Sequence, residues 1–496
     1  MVALPRLRRG GCARRRAVVT ILERSMQSMV LILSRAIKAQ WLAAACLSWT
    51  AMYAFPVSAE QLRMQPAPSS TGPAGFGREV AEATFDSVWN RVYNTHFDPE
   101  FGGVDWIAIR RELRPRVREV SSTVELRAVL NEMLDRLGQS HFTIIPGASA
   151  GVFDRSVRTS PPGEAEPGID VRWIDGSLLV TGVRSGSPAE QEGVLPGWII
   201  EAVDDVSVGT LATWIREAAP SGSQEKDLAT WLPLGVRDRL LGVEGSTARL
   251  TFRDESDRVL ERSILRAAPS GSQITFGNLP PLRVEAEHRI ERLADGVEIG
   301  VIRMTAWFPA VVPAIAHAVD EMRDMAAIVL DLRGNPGGIG ALVMGIGGHF
   351  LSEPVSLGTM HTRDTTLQFV VNPQRVGPDG RLVVPYDGPL VVLVDPLTAS
   401  TSEIFAGGMQ ALGRATIIGE PTAGQALPAL VAGLPNGDRL MHAIADFTGP
   451  GGSRLEGSGV LPDVPVTLDR ASLLREADPS LEEALRWISQ TLESRE

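Results

Sequence analysis

The chain has 496 residues, of which 44% are hydrophobic and 22% are charged. That length exceeds one ordinary domain and that composition is typical of folded proteins, so we expect two or three packed units. The formal net charge is −11, but residues 1–59 hold nine basic residues and one acidic residue, which leaves −19 for the remainder. This negative charge on residues 60–496 argues against a nucleic-acid partner, because binding to phosphates needs a basic surface.

The first 59 residues have the features of a signal peptide. Arg35 and Lys38 precede an apolar run over 41–57, and Val57–Ala59 places small residues at the −3 and −1 positions. We therefore predict cleavage after Ala59, with export to the periplasm or cell envelope and no stable membrane span afterwards. The alternative is that the apolar run stays as an anchor, although it is somewhat short to span a bilayer.

Both cysteines of the chain, Cys12 and Cys46, lie within this predicted leader. The mature protein would therefore have neither a disulfide bond nor a thiol nucleophile. Residues 60–77 are rich in Pro, Gly and Ser, which is typical of a linker.

Residues 78–155 show the apolar spacing of helices, first from Phe85 to Tyr93 and then from Leu126 to Leu137. The second helix is preceded by Ser122 and Glu125, which are spaced as a capping box, and it is predicted to end at Gly138. Ser140 and His141 follow directly, ahead of a strand-like run. This pair is therefore expected at a helix-to-strand corner, where side chains can face a cleft.

Residues 160–267 alternate short strand patterns with turns. The run GIDVRWIDGSLLVTGVRSGSPAEQEGVLPGWIIEAVDDVSV, which begins at Gly168, resembles a PDZ domain. The resemblance implies that Gly168, Ile169 and Asp170 form the loop whose amides bind the C-terminal carboxylate of a peptide, which then adds as a strand to the sheet edge. The alternative is a small β-module that only packs on its neighbour.

From residue 285 to residue 470, strand and helix patterns alternate, which predicts an α/β layered core. Residues 471–496 are predicted to be a C-terminal helix. The predicted core strands are Val297–Met304, Ala327–Arg333, Pro389–Asp395 and Thr416–Glu420, with helices near 309–325 and 402–412. The expected fold class is thus mixed α/β and α+β, in a multidomain chain.

The run VVLVDPLTASTSEIFAGG is a buried strand that enters a tight turn and then a helix, and Ser400 falls at the turn. A hydroxyl there lies beside the first amides of the helix, whose dipole favours an oxyanion. A serine before a helix is more often only a cap, so the local pattern by itself leaves both readings open.

The longer run TASTSEIFAGGMQALGRATIIGEPTAG resembles the nucleophile region of the C-terminal processing peptidases, and AIVLDLRGNPGG resembles their second signature. The resemblance covers roughly residues 80–470. It implies a serine peptidase with Ser400 as nucleophile, Ser402 as helix cap, and the amides of Gly338 and Thr401 as the oxyanion hole. The glycine-rich turn lacks the Lys-Ser/Thr of a phosphate-binding loop.

Many members of that family use a lysine 25 residues beyond the nucleophile, and here Gln425 stands at that place. The chain has only two lysines, Lys38 in the leader and Lys226 in the PDZ-like region. A Ser–Lys dyad within the α/β core is therefore impossible.

The tricorn-like branch of the same family uses histidine instead. It resembles this chain in a Ser-His pair after an early helix, here LGQSHF, and in a glutamate before G-V-x-P-D, here LEGSGVLPD. The resemblance implies that His141 is the general base for Ser400 and that Glu456 orients or stabilises it, directly or through Ser140.

We therefore expect an exported peptidase that acts on proteins or peptides and needs no cofactor. The histidines show no zinc-like spacing, so no metal site is predicted. Two alternatives remain: a non-catalytic protein that binds apolar ligands or peptides on the same fold, and an esterase that ignores the PDZ-like loop. The segment 352–386 is a hypothetical lid, and the sequence does not indicate the oligomeric state.

Overall fold

A computed structural model describes residues 77–147, 163–218, 224–279 and 282–494. The predicted leader over 1–59 and nearly all of the predicted linker lie outside the described residues. Within those ranges no helix is both long enough and apolar enough to cross a membrane.

The N-terminal unit packs three helices around one apolar core, in which Phe85 and Leu130 are fully buried. Ser122 begins the third helix by accepting the amide hydrogen of Glu125, as predicted. The Glu125 carboxylate bonds the amide of Ser121 instead of Ser122, so only half of the predicted capping box forms. The elements are α1 (Arg78–Thr95), α2 (Trp106–Val117), α3 (Thr123–Asp135) and β1 (Thr143–Ile145).

Residues 163–267 form a β-module with an apolar core of its own. Its antiparallel sheet has the order β2-β3-β4-β6-β7, so β2 is an edge strand, and helix α6 packs beside it. The elements are β2 (Ile169–Ile174), β3 (Ser177–Val183), α4 (Pro188–Gln191), β4 (Ile199–Val203), β5 (Val206–Ser207), α5 (Val208–Ala218), α6 (Gln224–Leu240), β6 (Thr247–Arg253) and β7 (Val259–Leu265).

A six-stranded sheet organises the rest of the chain, in the order β10-β11-β12-β15-β16-β20, with only β10 antiparallel to its neighbour. A short hairpin leads into it from the β-module. The elements are β8 (Ser272–Ile274), β9 (Leu282–Val284), β10 (Ala286–Arg292), β11 (Glu298–Met304), α7 (Val312–Glu321), β12 (Ala327–Asp331), α8 (Leu342–Gly347), β13 (Val355–Thr362), β14 (Thr366–Val371), β15 (Leu390–Val394), α9 (Thr401–Ala411), β16 (Thr416–Gly419), β17 (Ala429–Gly433), β18 (Arg439–Ala443), β19 (Ala445–Thr448), β20 (Val464–Pro465), α10 (Arg470–Leu474) and α11 (Pro479–Glu493).

Helices cover both faces of this sheet. Ile315 of α7 and Phe405 of α9 are fully buried against one face, and Ala484 of α11 is buried against the other. Strand β12 is accordingly buried at every position, as expected for a parallel strand covered on both faces. The predicted α/β layered core and the mixed multidomain fold class are confirmed.

Two three-stranded sheets flank the core. One has the order β1-β18-β17 and joins the helical unit to the core, since Thr143 of β1 lies opposite Met441 of β18, which in turn lies opposite Val431 of β17. The other has the order β14-β13-β19, and β13 and β14 form residues 355–362 and 366–371 of the segment 352–386, for which the lid function stays a prediction.

The predicted C-terminal helix over 471–496 is wrong in detail, because two helices stand there, α10 and α11. Glu476 between them has a left-handed φ of +53°, which a continuing helix excludes. Asp478 then caps α11 by accepting the amide hydrogen of Leu481, with Pro479 at the first helical position.

Candidate active site

Ser400 occupies the turn between β15 and α9 in a conformation that few serines adopt, with φ +56° and ψ −119°. Its amide donates to the carbonyl of Gln425 (2.8 Å) and to the Glu403 carboxylate (2.9 Å). A strained residue persists only where its surroundings fix it, and these two bonds do so. The turn leaves the half-buried Ser400 at the end of a buried strand, beside the first amides of α9.

Glu403 is fully buried beneath Ser400 and accepts four hydrogen bonds. Besides the Ser400 amide, its donors are the Thr422 hydroxyl (2.6 Å) and the amides of Gly424 (2.7 Å) and Gln425 (2.9 Å). Burial raises the pKa of this carboxyl, and the four donors act against that rise. The carboxylate thereby ties the turn of Ser400 to the segment 422–425.

Glu403 is not among the residues predicted from the sequence. The signal was present, because a serine followed three residues later by glutamate is the spacing of a capping box. The cap itself was assigned wrongly: Ser402 is not the helix cap, since α9 begins one residue earlier and Ser400 is its first flanking residue. Ser402 Oγ is buried and accepts from Trp307 Nε1 (2.8 Å) while it donates to the Asn335 carbonyl (3.2 Å).

The glycine-rich turn after β12 runs past Ser400 as a short extended segment paired with Trp307. The Trp307 amide donates to the Gly337 carbonyl (2.9 Å), and the Trp307 carbonyl accepts from the Ile339 amide (2.8 Å). The amide and carbonyl of Gly338 therefore face the other side, where its carbonyl accepts from Thr401 Oγ1 (3.0 Å). The Gly338 amide is thus directed to the side on which α9 begins.

Both glycines of this turn are required by space. A Cβ atom on Gly337 would stand 2.7 Å from Ser400 Cβ, and one on Gly338 would stand 2.4 Å from the Trp307 carbonyl oxygen. The Thr401 amide belongs to the first turn of α9, where no helical acceptor exists. The amides of Gly338 and Thr401 are consequently both available near Ser400, and their role as an oxyanion hole stays a prediction.

Three side chains, two adjacent in sequence and one distant, form one hydrogen-bonded chain on the helical-unit side. Ser140 Oγ lies 2.7 Å from His141 Nδ1 and donates to Glu456 Oε2 (2.9 Å). Glu456 also accepts the amide hydrogens of Ser140 (2.8 Å) and Ala426 (3.0 Å). His141 has a left-handed φ of +61°, so a sharp corner at the end of the helical unit presents this ring.

These hydrogen bonds determine which ring nitrogen of His141 carries the hydrogen. A carboxylate only accepts hydrogen bonds, so the single hydroxyl hydrogen of Ser140 goes to Glu456. Ser140 Oγ must then accept from Nδ1–H, which leaves the lone pair on Nε2 of His141. Burial lowers the pKa of this imidazole below its ordinary 6.5, and the charge of Glu456 acts in the opposite direction. The ring is therefore neutral at pH 7 and can accept a proton at Nε2.

The segment at Gln425 and Ala426 connects the two sides of the site. The Gln425 carbonyl binds the Ser400 amide, and the next amide, that of Ala426, binds Glu456. The described residues show no direct hydrogen bond between Ser400 and His141. Candidate catalytic hydrogen bonds are commonly formed only in the complex with substrate.

The three residues of the predicted carboxylate loop lie in the β-module. Gly168 has φ +87°, its carbonyl accepts from the Arg184 amide (3.0 Å), and Ile169 and Asp170 begin the edge strand β2. Four positions along the chain, Arg172 of the same strand forms an ion pair with Glu420 (2.8 Å). The strand that carries the predicted loop therefore also contacts the core.

Arg172 reaches a second carboxylate, Asp395, at 3.7 Å. Asp395 is buried and accepts the amides of Gly334 (2.9 Å) and Leu397 (3.0 Å). It thereby holds the start of the glycine-rich turn beside the loop that leads to Ser400. No sequence pattern indicates this connection, because its partners are far apart along the chain.

Two sequence profiles match the chain. The profile of peptidase family S41 matches residues 298–466, and that of the Tricorn protease C1 domain matches residues 78–135. The carboxyl-terminal-processing protease of Synechocystis sp. is 26% identical over 393 residues, covering 76% of this chain and 78% of that protein. The chloroplastic carboxyl-terminal-processing peptidase 2 of Arabidopsis thaliana is 25% identical, covering 80% of this chain and 71% of its own.

Solved structures show the same fold. A photosystem II D1 C-terminal processing protease covers 82% of this chain and 96% of its own, with a TM-score of 0.50 and 21% identity. Mature CPAF covers the same shares with a TM-score of 0.54 and 14% identity. Residues 298–466 thus match peptidase family S41, and the chain is a serine-type peptidase that is similar to the carboxyl-terminal-processing proteases.

Proposed function

We propose that this peptidase cleaves peptide bonds through an acyl-enzyme on Ser400, with His141 as general base. The observation that carries the proposal is the hydrogen-bonded chain from Glu456 through Ser140 to His141, which leaves Nε2 as the proton acceptor. A serine hydroxyl is a weak nucleophile until a base takes its proton. The described core contains no lysine that could act as the base in place of His141, and Gln425 stands at the family's lysine position.

The reaction follows from these groups. Nε2 of His141 takes the hydroxyl proton as Ser400 Oγ attacks the carbonyl carbon of the substrate. The amides of Gly338 and Thr401 stabilise the resulting oxyanion. As the C–N bond breaks, the imidazolium returns the proton to the leaving amine. Water then gives a proton to Nε2 of His141 as its oxygen attacks the ester, and the imidazolium returns that proton to Ser400 Oγ as the C–O bond breaks and the acid product leaves.

In the same proposal, the β-module recognises the C terminus of a peptide. Strand β2 is a sheet edge with helix α6 beside it and the left-handed Gly168 at its start, an arrangement that can take an extended peptide. A peptide with a free carboxylate should bind more tightly than its amidated counterpart, as measured by fluorescence anisotropy. Equal binding of the two would remove this part of the proposal.

Export is proposed from the leader sequence over 1–59. The expected mature N terminus is Glu60, which N-terminal sequencing of the protein isolated from the cell envelope would reveal. An intact leader on membrane-bound protein would instead identify an anchor.

Fluorophosphonate labelling tests the catalytic centre without knowledge of the natural substrate. We expect wild-type protein to be labelled, Ser400→Ala to remain unlabelled, and His141→Ala to react about 10²–10⁴-fold more slowly, the usual contribution of a general base. The matched controls are Ser453→Ala and His317→Ala, both exposed, which should react like wild type. A folded wild-type protein that takes no label would contradict the proposal and favour a binding protein on this fold.

A further inference from the structure

Strand β17 is a sheet edge that the catalytic proposal does not use. It is the last strand in the order β1-β18-β17, and its five residues, Ala429–Gly433, carry no charge. Leu430 is 52% exposed and Gly433 is also exposed, so solvent reaches the strand. Proteins normally protect exposed edges with charges, proline or a covering element, because a bare apolar edge pairs with other chains.

The hydrogen-bond register shows which groups this edge offers. The Leu434 amide bonds the Asp438 carbonyl, and the Ile444 amide bonds the Pro428 carbonyl. In an antiparallel pair the bonded positions alternate, so every second residue of β17 turns its amide and carbonyl away from β18. The outward-facing residues are Ala429, Val431 and Gly433. Their amides have no hydrogen-bond acceptor among the described residues.

One outward-facing carbonyl of β17 already accepts a hydrogen bond from a side-chain amide. The side-chain Nδ2 of Asn278, in the β8–β9 loop, donates to the Val431 carbonyl oxygen (2.9 Å). A primary amide has the same donor chemistry as a peptide N–H group. The contact therefore shows that the edge acceptor points outward and can receive a donor from a segment lying alongside.

The edge strand β10 of the six-stranded sheet differs from β17. Strand β10 also ends its sheet, yet its sequence AEHRIER contains two glutamates and two arginines. There the Thr305 amide bonds the Glu285 carbonyl and the Leu293 amide bonds the Val297 carbonyl, so the intervening Ile290 directs its amide outward. Charges protect this edge from pairing, whereas β17 has none.

The Ala429 end of β17 lies next to the candidate active site. Ala429 follows Gln425 by four residues, and the Gln425 carbonyl binds the Ser400 amide. Across the small sheet, Ala429 lies opposite Ala443 of β18, the end of that strand nearest to His141, since β1 pairs with β18 from Thr143 onward. A strand added along β17 would therefore run toward both halves of the catalytic centre.

We propose that the edge of β17 is the substrate-binding strand, on which an extended segment of the substrate polypeptide adds by backbone hydrogen bonds and replaces Asn278 at the Val431 carbonyl. This deepens the proposed peptidase function and rests on it. The edge offers backbone groups and an apolar surface without charge, so it selects an extended, uncharged segment next to the scissile bond. The β-module, by contrast, would read a terminal carboxylate.

The test uses the full chain with Ser400→Ala, which cannot turn the probe over. The probe is a short fluorescein-labelled peptide rich in Leu and Thr, amidated at its C terminus so that a carboxylate-reading site does not retain it. Val431→Pro removes one outward amide but no bond to β18, as proline on an edge strand allows. We expect the Kd of the peptide to rise about tenfold, the effect of losing one backbone hydrogen bond.

The matched control is Ile290→Pro, which removes an outward amide from the charged edge β10 and should leave the Kd within about twofold of the parent. A peptide N-methylated at alternate residues should also bind about tenfold more weakly, and it needs no variant if Val431→Pro fails to fold. Equal binding by Val431→Pro, or by the N-methylated peptide, would overturn the proposal.

Two further outcomes separate the possibilities. A wild-type dimer that Val431→Pro dissociates in sedimentation equilibrium, with peptide binding unchanged, would assign the edge to a second copy of the chain and overturn the proposal. Failure of fluorophosphonate labelling would contradict the catalytic proposal alone, because binding to the Ser400→Ala protein needs no catalysis.

Discussion

The two sides of the candidate site are built in different ways. Ser400 and Glu403 belong to one continuous strand–turn–helix segment, and Glu403 is fully buried. Ser140 and Glu456 are 316 residues apart, and their hydrogen bond is only part-buried. The side of the proposed nucleophile therefore depends on local backbone geometry, whereas the side of the proposed base exists only while the helical unit is docked on the core. We expect substitutions on the first side to distort the backbone around Ser400. Substitutions on the second side should instead weaken the hydrogen bonds to His141 step by step.

Apart from replacement of Ser400 or His141 themselves, the largest effect is expected on the nucleophile side, from Gly338→Ala. Its new Cβ would stand 2.4 Å from the Trp307 carbonyl oxygen, so the turn must shift and take its amide away from Ser400. Loss of one oxyanion donor lowers rates by about 10²–10³-fold. Fluorophosphonate labelling measures this, and Gly345→Ala, where a Cβ meets nothing within 4 Å, is the control. Labelling at the wild-type rate would remove Gly338 from the oxyanion hole.

On the base side, Glu456→Gln should slow labelling by about 10²-fold, a part of the full general-base contribution. The amide cannot accept from Ser140 with the strength of a carboxylate, so the Nδ1–H tautomer of His141 is no longer enforced. Because the two residues act through one chain, adding Ser140→Ala should cause little further loss. Additive effects would show that Glu456 and Ser140 act separately. The exposed Glu353→Gln is the control.

Glu403→Gln tests whether the nucleophile side is positioned by its buried carboxylate. The new amide would place an NH₂ group against the amide donors that now reach the carboxylate, leaving at least one unpaired. We expect about 2 kcal/mol of lost stability by urea denaturation, the usual consequence of an unsatisfied buried donor. Labelling of the folded fraction should fall about tenfold. Glu79→Gln, in the first turn of α1, is the matched control; a loss of stability without slower labelling would make Glu403 purely structural.

The smallest effect concerns pH. Only neutral His141 can accept the proton, so labelling should be complete above its lowered pKa and fall about tenfold per unit as the pH drops below it. Since the Glu456 charge raises that pKa, Glu456→Gln should move the midpoint to lower pH. A midpoint above 6.5 in the wild-type protein would contradict the assignment of His141, as would a midpoint unchanged by His141→Ala.

Sequence motifs indicated the candidate residues of the site but not the contacts between them. Ser400, His141 and Glu456 each stand in a short recognisable pattern, and the core strands show continuous apolar runs. The hydrogen bonds from Nδ1–H of His141 to Ser140 and from Ser140 to Glu456 could not be predicted, because they depend on the docking of segments far apart along the chain. The role of Arg172 beside Asp395 was hidden for the same reason. The misassigned cap at Ser402 had a local cause, since two serines near one helix start satisfy the same propensity.

The backbone of Ser400 has one more consequence. A left-handed φ at a residue with a side chain costs about 1–3 kcal/mol, which the buried ties around Glu403 must offset. With Ser400 as the proposed nucleophile, catalysis and folding make opposite demands on this position, since glycine would relax the turn but has no hydroxyl. In a related protein that no longer needs to cleave substrates, selection for stability alone would favour glycine at position 400. A serine at this position therefore indicates a fold that is slightly less stable than the same fold with glycine there.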